Sequence, residues 1–188
     1  MEIEIVATVR DARRGDSAAL ERLARHALRL SLRTAAATLG SREDAADIAQ
    51  EVAVEALRDL HKLRDPERFD AWVYRITARR ALRLLQSQRR RREITLDTVG
   101  EHEQPVFSLD EDELAEQWSA APQIRDALAQ LPPRQRLALA LRYVAGLTDR
   151  QIADVLGCRR GTACSLLSRG RTALHSSPLI TELRPNHL

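Results

Sequence analysis

The chain has 188 residues, a net charge of +3 and only 3% aromatic residues, and this length suits two small domains, each with a modest core. Gly and Pro are sparse and no segment alternates apolar with polar residues, so the composition predicts an all-α fold of short packed helices. The sequence has no run of about 18 apolar residues and its first residues are charged, which argues against membrane insertion and a secretory signal and predicts a cytoplasmic protein.

Residues 1–92 form the first predicted domain and carry 20 basic against 14 acidic residues, a net charge of +6. Asp16 is a suitable N-cap for a helix whose Leu and Ala residues fall on one face and which ends at Leu39 and Gly40. The positive charge suits a polyanionic partner, because neutralised phosphates release their condensed counterions.

A second helix is predicted to begin after Ser41, with Asp44 at the spacing of a capping box. Its core stripe consists of Ala45, Ile48, Val52 and Ala56. Four carboxylates recur beside this stripe at spacings of three and four residues and share one edge of the helix: Asp44, Asp47, Glu51 and Glu55. Such a row is either a solvated face or a docking surface for a basic partner, and the spacing leaves both open.

The third helix of this domain is predicted from about Asp70 to Arg90, after a loop that contains Pro66. One face is apolar and suits the core: Phe69, Val73, Ile76 and Leu84. Another face carries an aromatic ring among guanidinium groups: Trp72, Arg75, Arg79 and Arg83. This combination suits strand separation, because Arg binds phosphates while the ring stacks on an unstacked base. The alternative places Trp72 in the core.

Residues 93–122 hold nine acidic residues and no Lys or Arg, a net charge of −9, and are predicted to form a flexible linker that repels itself and has little to bury. For the acids alone, a solvated spacer and a specific role are equally consistent with the composition.

The second predicted domain covers 123–175, and a tail covers 176–188; together they carry ten basic and four acidic residues. The predicted helices cover 124–131, 134–145, 149–156 and 160–174. Thr148 and Gln151 form a capping box before the third of them, and Gly157 provides the turn into the fourth.

The last two predicted helices have the spacing of a helix-turn-helix, in which the second helix enters the major groove. The side chains placed to reach base edges or phosphates are Arg159, Arg160, Thr162, Ser165, Arg169 and Arg171. A helical hairpin without a DNA role is the alternative. Cys158 and Cys164 lack the spacing of a zinc site, and we interpret them as buried or half-buried small residues.

Together these segments resemble the extracytoplasmic-function sigma factors, small bacterial sigma factors built from sigma regions two and four. The region-two resemblance lies in GDSAALERL at 15–23, LGSREDAADIAQEV at 39–52 and RFDAWVYRITARRAL at 68–82. The region-four resemblance lies in LPPRQRLALALRYVAGLTDRQIADVLGCRRGTACSLLSRGRTAL at 131–174. The resemblance covers nearly the whole chain and implies a promoter-specificity subunit of RNA polymerase.

The resemblance implies a role for each set of residues. Core polymerase would bind Asp44, Asp47, Gln50 and Glu51. The minus-ten element would be recognised and melted by Lys62, Arg68, Trp72, Arg75, Arg79, Arg80 and Arg83. The minus-35 duplex would be bound by the six helix-turn-helix residues given above. The acidic linker would enter polymerase channels used by RNA, and family members are often held inactive by an anti-sigma factor.

The chain departs from the family pattern in the recognition helix, where Cys164 replaces a common Lys, Leu166 a common Arg and Gly170 a common Ala. The first two changes suggest weakened duplex recognition, and Gly costs a helix about 1 kcal/mol. Two other functions therefore stay open: a helix-turn-helix regulator that binds duplex DNA without polymerase, and a sigma-like protein that acts through protein contacts. The sequence has no metal-spaced His/Cys cluster, phosphate-binding Gly loop or nucleophile elbow, so we expect no cofactor, no metal and no enzymatic activity.

Overall fold

The computed structural model describes residues 4–94 and 122–181, and every regular element in these ranges is a helix. The N-terminal lobe, residues 4–94, contains α1 (Ile5–Arg13), α2 (Ser17–Leu39), α3 (Arg42–Arg58) and α4 (Phe69–Ile94), with 3₁₀ turns at Leu60–Lys62 and Pro66–Arg68. The C-terminal lobe, residues 122–181, contains α5 (Pro122–Ala129), α6 (Pro133–Tyr143), α7 (Asp149–Leu156), α8 (Arg160–His175) and α9 (Pro178–Thr181). The all-α prediction is confirmed. The predicted linker lies outside the described residues, apart from its two ends at 93–94 and 122.

Side chains cap the starts of α2 and α3 where the sequence predicts them. The Asp16 carboxylate accepts a hydrogen bond from a backbone N–H of the first turn of α2 at 2.8 Å. The Ser41 hydroxyl accepts one from the backbone N–H of Asp44 at 3.2 Å. The Asp44 carboxylate instead accepts from Gln88 Nε2 on α4 at 2.9 Å, so this predicted capping box is one-sided and its acid ties α3 to α4.

The core of the N-terminal lobe lies between α2, α3 and α4, with α1 packed on the side. Leu23, Val52, Phe69 and Val73 are fully buried there, and Val9 brings α1 into the same cluster. The sequence pattern does not predict α1, which has only nine residues: a helix this short is marginal by itself and gains its stability from packing.

In the C-terminal lobe, helix α7 begins with the predicted capping box. The side chains of Thr148 and Gln151 each accept a hydrogen bond from the other residue's backbone N–H. Gly157 (φ +59°) ends α7 in the left-handed region that glycine adopts without strain, and the chain turns there into α8. Helix α6 ends at Tyr143, two residues before the predicted end.

Helix α4 connects the two lobes. Besides the apolar face that packs in the N-terminal core, a second face of this helix is buried against the C-terminal lobe. Tyr74 and Ala78 are buried in the cluster of the C-terminal lobe, alongside Leu137 and Ile152, and Leu82 packs against it. Burial, and to a smaller extent the charge of Asp70, raises the pKa of Tyr74 to about 12. The phenol therefore stays protonated while the lobes are packed together.

A buried arginine completes this contact between the lobes. Arg136 on α6 is only 7% exposed, and its Nη1 donates to the Thr38 carbonyl at the end of α2 at 3.1 Å. Its Nη2 donates to the carbonyl of Ala129, the last residue of α5, and to that of Leu131 just beyond it. A cation there meets the negative ends of two helix dipoles and satisfies carbonyls that α2 and α5 leave unbonded.

The glycines of α8 provide a matched stability test. A Cβ on Gly170 would lie 3.0 Å from Leu139 Cδ1 and 3.2 Å from its Cγ, whereas a Cβ on Gly161 meets nothing within 4 Å. We expect Gly161→Ala to raise the free energy of unfolding by up to about 1 kcal/mol. Gly170→Ala should lower it by about 1 kcal/mol, since overpacking against Leu139 outweighs the gain in helix propensity. Urea denaturation measures both, and equal stabilisation by the two variants would contradict this role of Leu139.

Candidate nucleic-acid interface

The acidic row of α3 lies on the surface, where a partner could reach it. Asp47 and Glu51 are exposed, while Asp44, Gln50 and Glu55 are half-buried. Asp47 makes no ion pair with any described residue. The row is therefore not uniform: its middle is open, and its C-terminal part is engaged by other side chains of the lobe.

The four arginines of α4 that are predicted to bind the minus-ten element divide into two pairs. Arg75 and Arg83 are exposed and form no ion pair within the part of the chain that the structure describes. Arg79 is ion-paired with Glu55, and Arg80 with both Glu55 and Glu51. The Arg80 side chain is thus directed toward α3.

The loop between α3 and α4 holds two further predicted DNA contacts, and both have acidic partners. Lys62 Nζ lies 3.1 Å from Asp59 Oδ1, and Arg68 Nε lies 3.4 Å from Asp65 Oδ2. Hydrogen bonds from Arg58 and Lys62 lower the pKa of Asp59. The Asp65 carboxylate also caps the 3₁₀ turn that precedes α4. Helix α4 itself starts at Phe69, one residue earlier than predicted.

Trp72 packs on the core of the N-terminal lobe and keeps part of its side chain accessible to solvent. Its side chain is half-buried and packs against the N-terminal core, edge-on to Phe69 with ring centroids 6.1 Å apart and an interplanar angle of 67°. His26 stacks near the same Phe69 and its Nε2 lies 2.7 Å from Asp70 Oδ1. The ring of Trp72 is thus held in place by the core, and its solvent-accessible part lies on the face that carries Arg75 and Arg79.

The helix-turn-helix consists of α7 and α8 and presents most of its predicted contacts to solvent. Arg159 stands at the N-cap position of α8, and the predicted contacts that are exposed are Arg159, Arg160, Thr162, Arg169 and Arg171. Ser165 is half-buried. Ala163 and Leu167 on the opposite face are buried in the C-terminal core, so the fold sets which side of α8 faces outward.

Two of the three positions where α8 departs from the family pattern, Cys164 and Leu166, lie at the flanks of this outward face. Cys164 is half-buried, with its Sγ 3.4 Å from Asp149 Oδ2 on α7. Leu166 is half-buried against the C-terminal core. The structure thus gives Leu166 a packing role that its sequence position did not indicate.

Sequence reasoning did not identify Arg136 or the internal partners of Arg79 and Arg80. The apolar pattern of α6 gave a hint, because Arg136 is followed by five consecutive buried residues, 137–141, and so lies on a helix with little exposed surface. The partners of Arg79 and Arg80 left no comparable signal, since Glu51 and Glu55 are more than 20 residues away. Among the described residues no helix could cross a membrane and no cluster of side chains could hold a metal ion.

Comparison with known proteins gives a match to each lobe. The family Sigma-70 region 2 matches residues 20–91, and the family Sigma-70, region 4 matches residues 122–174. RNA polymerase sigma-H factor of Pseudomonas aeruginosa is 31% identical over 154 residues, which are 74% of this chain and 77% of that protein. ECF RNA polymerase sigma factor SigE of Mycolicibacterium smegmatis is 31% identical over 166 residues, 85% of this chain, and the chain spans 63% of that relative's length.

Two solved structures share the fold. The sigma factor RpoE from Bartonella quintana, solved with the anti-sigma factor NepR, has a TM-score of 0.60 and 24% identity and covers 84% of this chain and 94% of its own. CnrH, solved with the cytosolic domain of CnrY, has a TM-score of 0.61 and 22% identity and covers 96% of this chain and 99% of its own. At these identities the likeness concerns the fold.

Proposed function

Because this chain belongs to the extracytoplasmic-function group of the sigma-70 family, we propose that it binds core RNA polymerase in the cytoplasm, directs it to a two-part promoter and helps to melt the upstream edge of the bubble. The observation that carries the proposal is that a carboxylate row, exposed at Asp47 and Glu51, and two separate sets of exposed arginines lie on a single chain. A duplex-binding regulator has no use for the first of these. The proposed activity is binding without covalent chemistry.

In the proposed division of labour, residues 1–92 act as region two and bind polymerase through Asp44, Asp47, Gln50 and Glu51. The exposed carboxylates suit a basic clamp surface, since charge complementarity accelerates and orients association. The linker, 93–122, would carry its −9 charge into channels that otherwise hold RNA. The helix-turn-helix segment, 123–175, acts as region four, and the remaining tail is 176–188.

For the minus-ten element, the proposed chemistry is phosphate binding by cations around an anchored ring. Trp72 is fixed on one side by Phe69, so stacking on a flipped base would cost it little side-chain entropy. Guanidinium groups beside it would hold the single strand through its phosphates: Arg75, Arg79, Arg80 and Arg83, with Lys62 and Arg68 from the preceding loop.

For the minus-35 element, α8 would lie in the major groove with its N-terminal residues at the base edges. Arg159 and Arg160 are long, exposed donors that can bind guanine in a bidentate manner, whereas Arg169 and Arg171 are placed for phosphates. An anti-sigma factor is a further candidate partner, by analogy with the Bartonella RpoE complex with NepR.

Run-off transcription with purified bacterial core polymerase and a library of promoter fragments tests the proposal. We expect initiation from a subset of fragments that core polymerase alone does not use. Initiation at none of them would contradict sigma function, and specific duplex binding by the protein alone would then favour a helix-turn-helix regulator.

A further inference from the structure

We infer that Glu51 and Glu55 of α3 compete internally with DNA phosphates for Arg79 and Arg80, and that polymerase docking on α3 releases these arginines for the promoter. The inference rests on the proposed function for its partners. Its structural basis is the ion-pair network formed by these four side chains, which we call the α3–α4 network.

Glu55 is the centre of the α3–α4 network. Arg80 donates to Glu55 Oε2 through Nε at 3.0 Å and through Nη2 at 2.7 Å, and Arg79 donates to the other carboxylate oxygen. The Glu55 side chain is only 13% exposed, so two guanidinium groups replace most of its water. Partly buried ion pairs of this geometry are stronger than ion pairs that are fully exposed to solvent.

Most cations of the proposed minus-ten surface are ion-paired with carboxylates of their own lobe. Four of its six cations have carboxylate partners in the same lobe: Lys62, Arg68, Arg79 and Arg80. A phosphate oxygen and a carboxylate oxygen accept the same guanidinium hydrogens. These carboxylates occupy part of the N–H donors and neutralise part of the charge of the four cations, which lowers the affinity of the unbound protein for single strands.

Glu51 links the α3–α4 network to the polymerase-binding row. Its side chain is 57% exposed, belongs to that row, and is ion-paired with Arg80. A basic polymerase surface that binds Glu51 removes one acceptor from Arg80 and adds positive charge beside Glu55. Since coupling between two binding sites is reciprocal, DNA that engages Arg79 and Arg80 also frees α3 carboxylates for polymerase.

The test uses the full chain and Glu55→Gln, which removes the charge but keeps the shape of the side chain. Glu43→Gln is the matched control, because Glu43 is exposed in the first turn of α3 and forms no ion pair with a described residue. The probe is a fluorescein-labelled single-stranded DNA of mixed sequence, about 20 nucleotides long, and its anisotropy is followed over a range of salt concentrations.

We expect Glu55→Gln to bind the oligonucleotide about threefold to tenfold more tightly than the control. The salt dependence should become steeper by about 0.7 in the logarithmic slope for each additional phosphate that the variant binds, a change that altered stability alone does not produce. With saturating core polymerase, the difference between the variant and the control should shrink. Equal affinities and equal slopes for the two variants would overturn the inference.

Glu51→Gln provides a second variant in case Glu55→Gln impairs folding. Its carboxylate is exposed, so its loss is tolerated structurally, and we expect a change in the same direction but smaller. No change in its slope would also count against the inference. The oligonucleotide measurement needs no promoter, so its outcome is independent of whether the run-off assay supports sigma function.

Discussion

Replacing Asp47 with arginine is expected to lower the affinity for core polymerase by at least about a hundredfold, since a like charge placed against a basic interface costs several kcal/mol. Asp47 is exposed near the middle of the acidic row and has no ion-pair partner among the described residues. The substitution therefore removes no ion pair that the described residues form. Co-purification with core polymerase and biolayer interferometry measure the loss.

Two controls make this result specific. Glu4→Arg makes the same charge change at an exposed position outside α3 and should retain polymerase binding. Asp47→Arg should bind oligonucleotides at least as tightly as the parent protein, because the charge that it adds is positive. Undiminished capture of polymerase by Asp47→Arg would contradict the docking role of the row.

Replacing Arg136 with leucine is expected to separate the lobes and to lower the free energy of unfolding by about 2–4 kcal/mol. The side chain is buried and donates to the carbonyls of Thr38, Ala129 and Leu131, so its loss leaves acceptors at two helix ends unbonded. Denaturation in urea measures the stability, and small-angle X-ray scattering measures the separation. Arg134→Leu, on the same helix and bonded only within its lobe, is the control.

The titration of Tyr74 provides a second measurement of the separation of the lobes. Burial against the C-terminal lobe raises its pKa to about 12, so in the parent protein the contact is stable below pH 10 and weakens as the pH rises toward 12. In Arg136→Leu the phenol becomes exposed and should titrate near pH 10, as followed by tyrosinate absorbance. An unchanged titration and an unchanged scattering profile would show that Arg136 does not hold the lobes together.

The sequence alone supplies much of the local structure of this fold. Asp16, Ser41 and the Thr148–Gln151 box start the predicted helices, and Gly40 and Gly157 end them, because a cap is recognised within four residues of sequence. Helix α1 was missed for the complementary reason: it is stabilised by contacts to residues far along the chain.

In the proposed sites, too, the arrangement along one helix can be predicted from the sequence, whereas the contacts between helices cannot. Periodicity placed Trp72 and Arg79 on one face of α4, but it could not indicate that Phe69 packs against the ring or that Glu55 binds the guanidinium group. Leu166 was interpreted as a lost DNA contact, and its packing against the C-terminal core depends on how α6 to α8 assemble. Partners on neighbouring helices follow from tertiary packing, which the spacing along one helix does not encode.

Footprinting of the complete polymerase complex on a promoter recovered from the run-off library, combined with permanganate reactivity, shows whether this one chain brings polymerase to two promoter elements and opens the downstream one. Two lobes that bind two elements predict two protected tracts separated by more than one helical turn, about 10 base pairs. The upstream tract should remain duplex, and the downstream tract should contain reactive, unpaired thymines. A single protected tract without reactive thymines would contradict the account and would instead fit a regulator that binds duplex DNA alone.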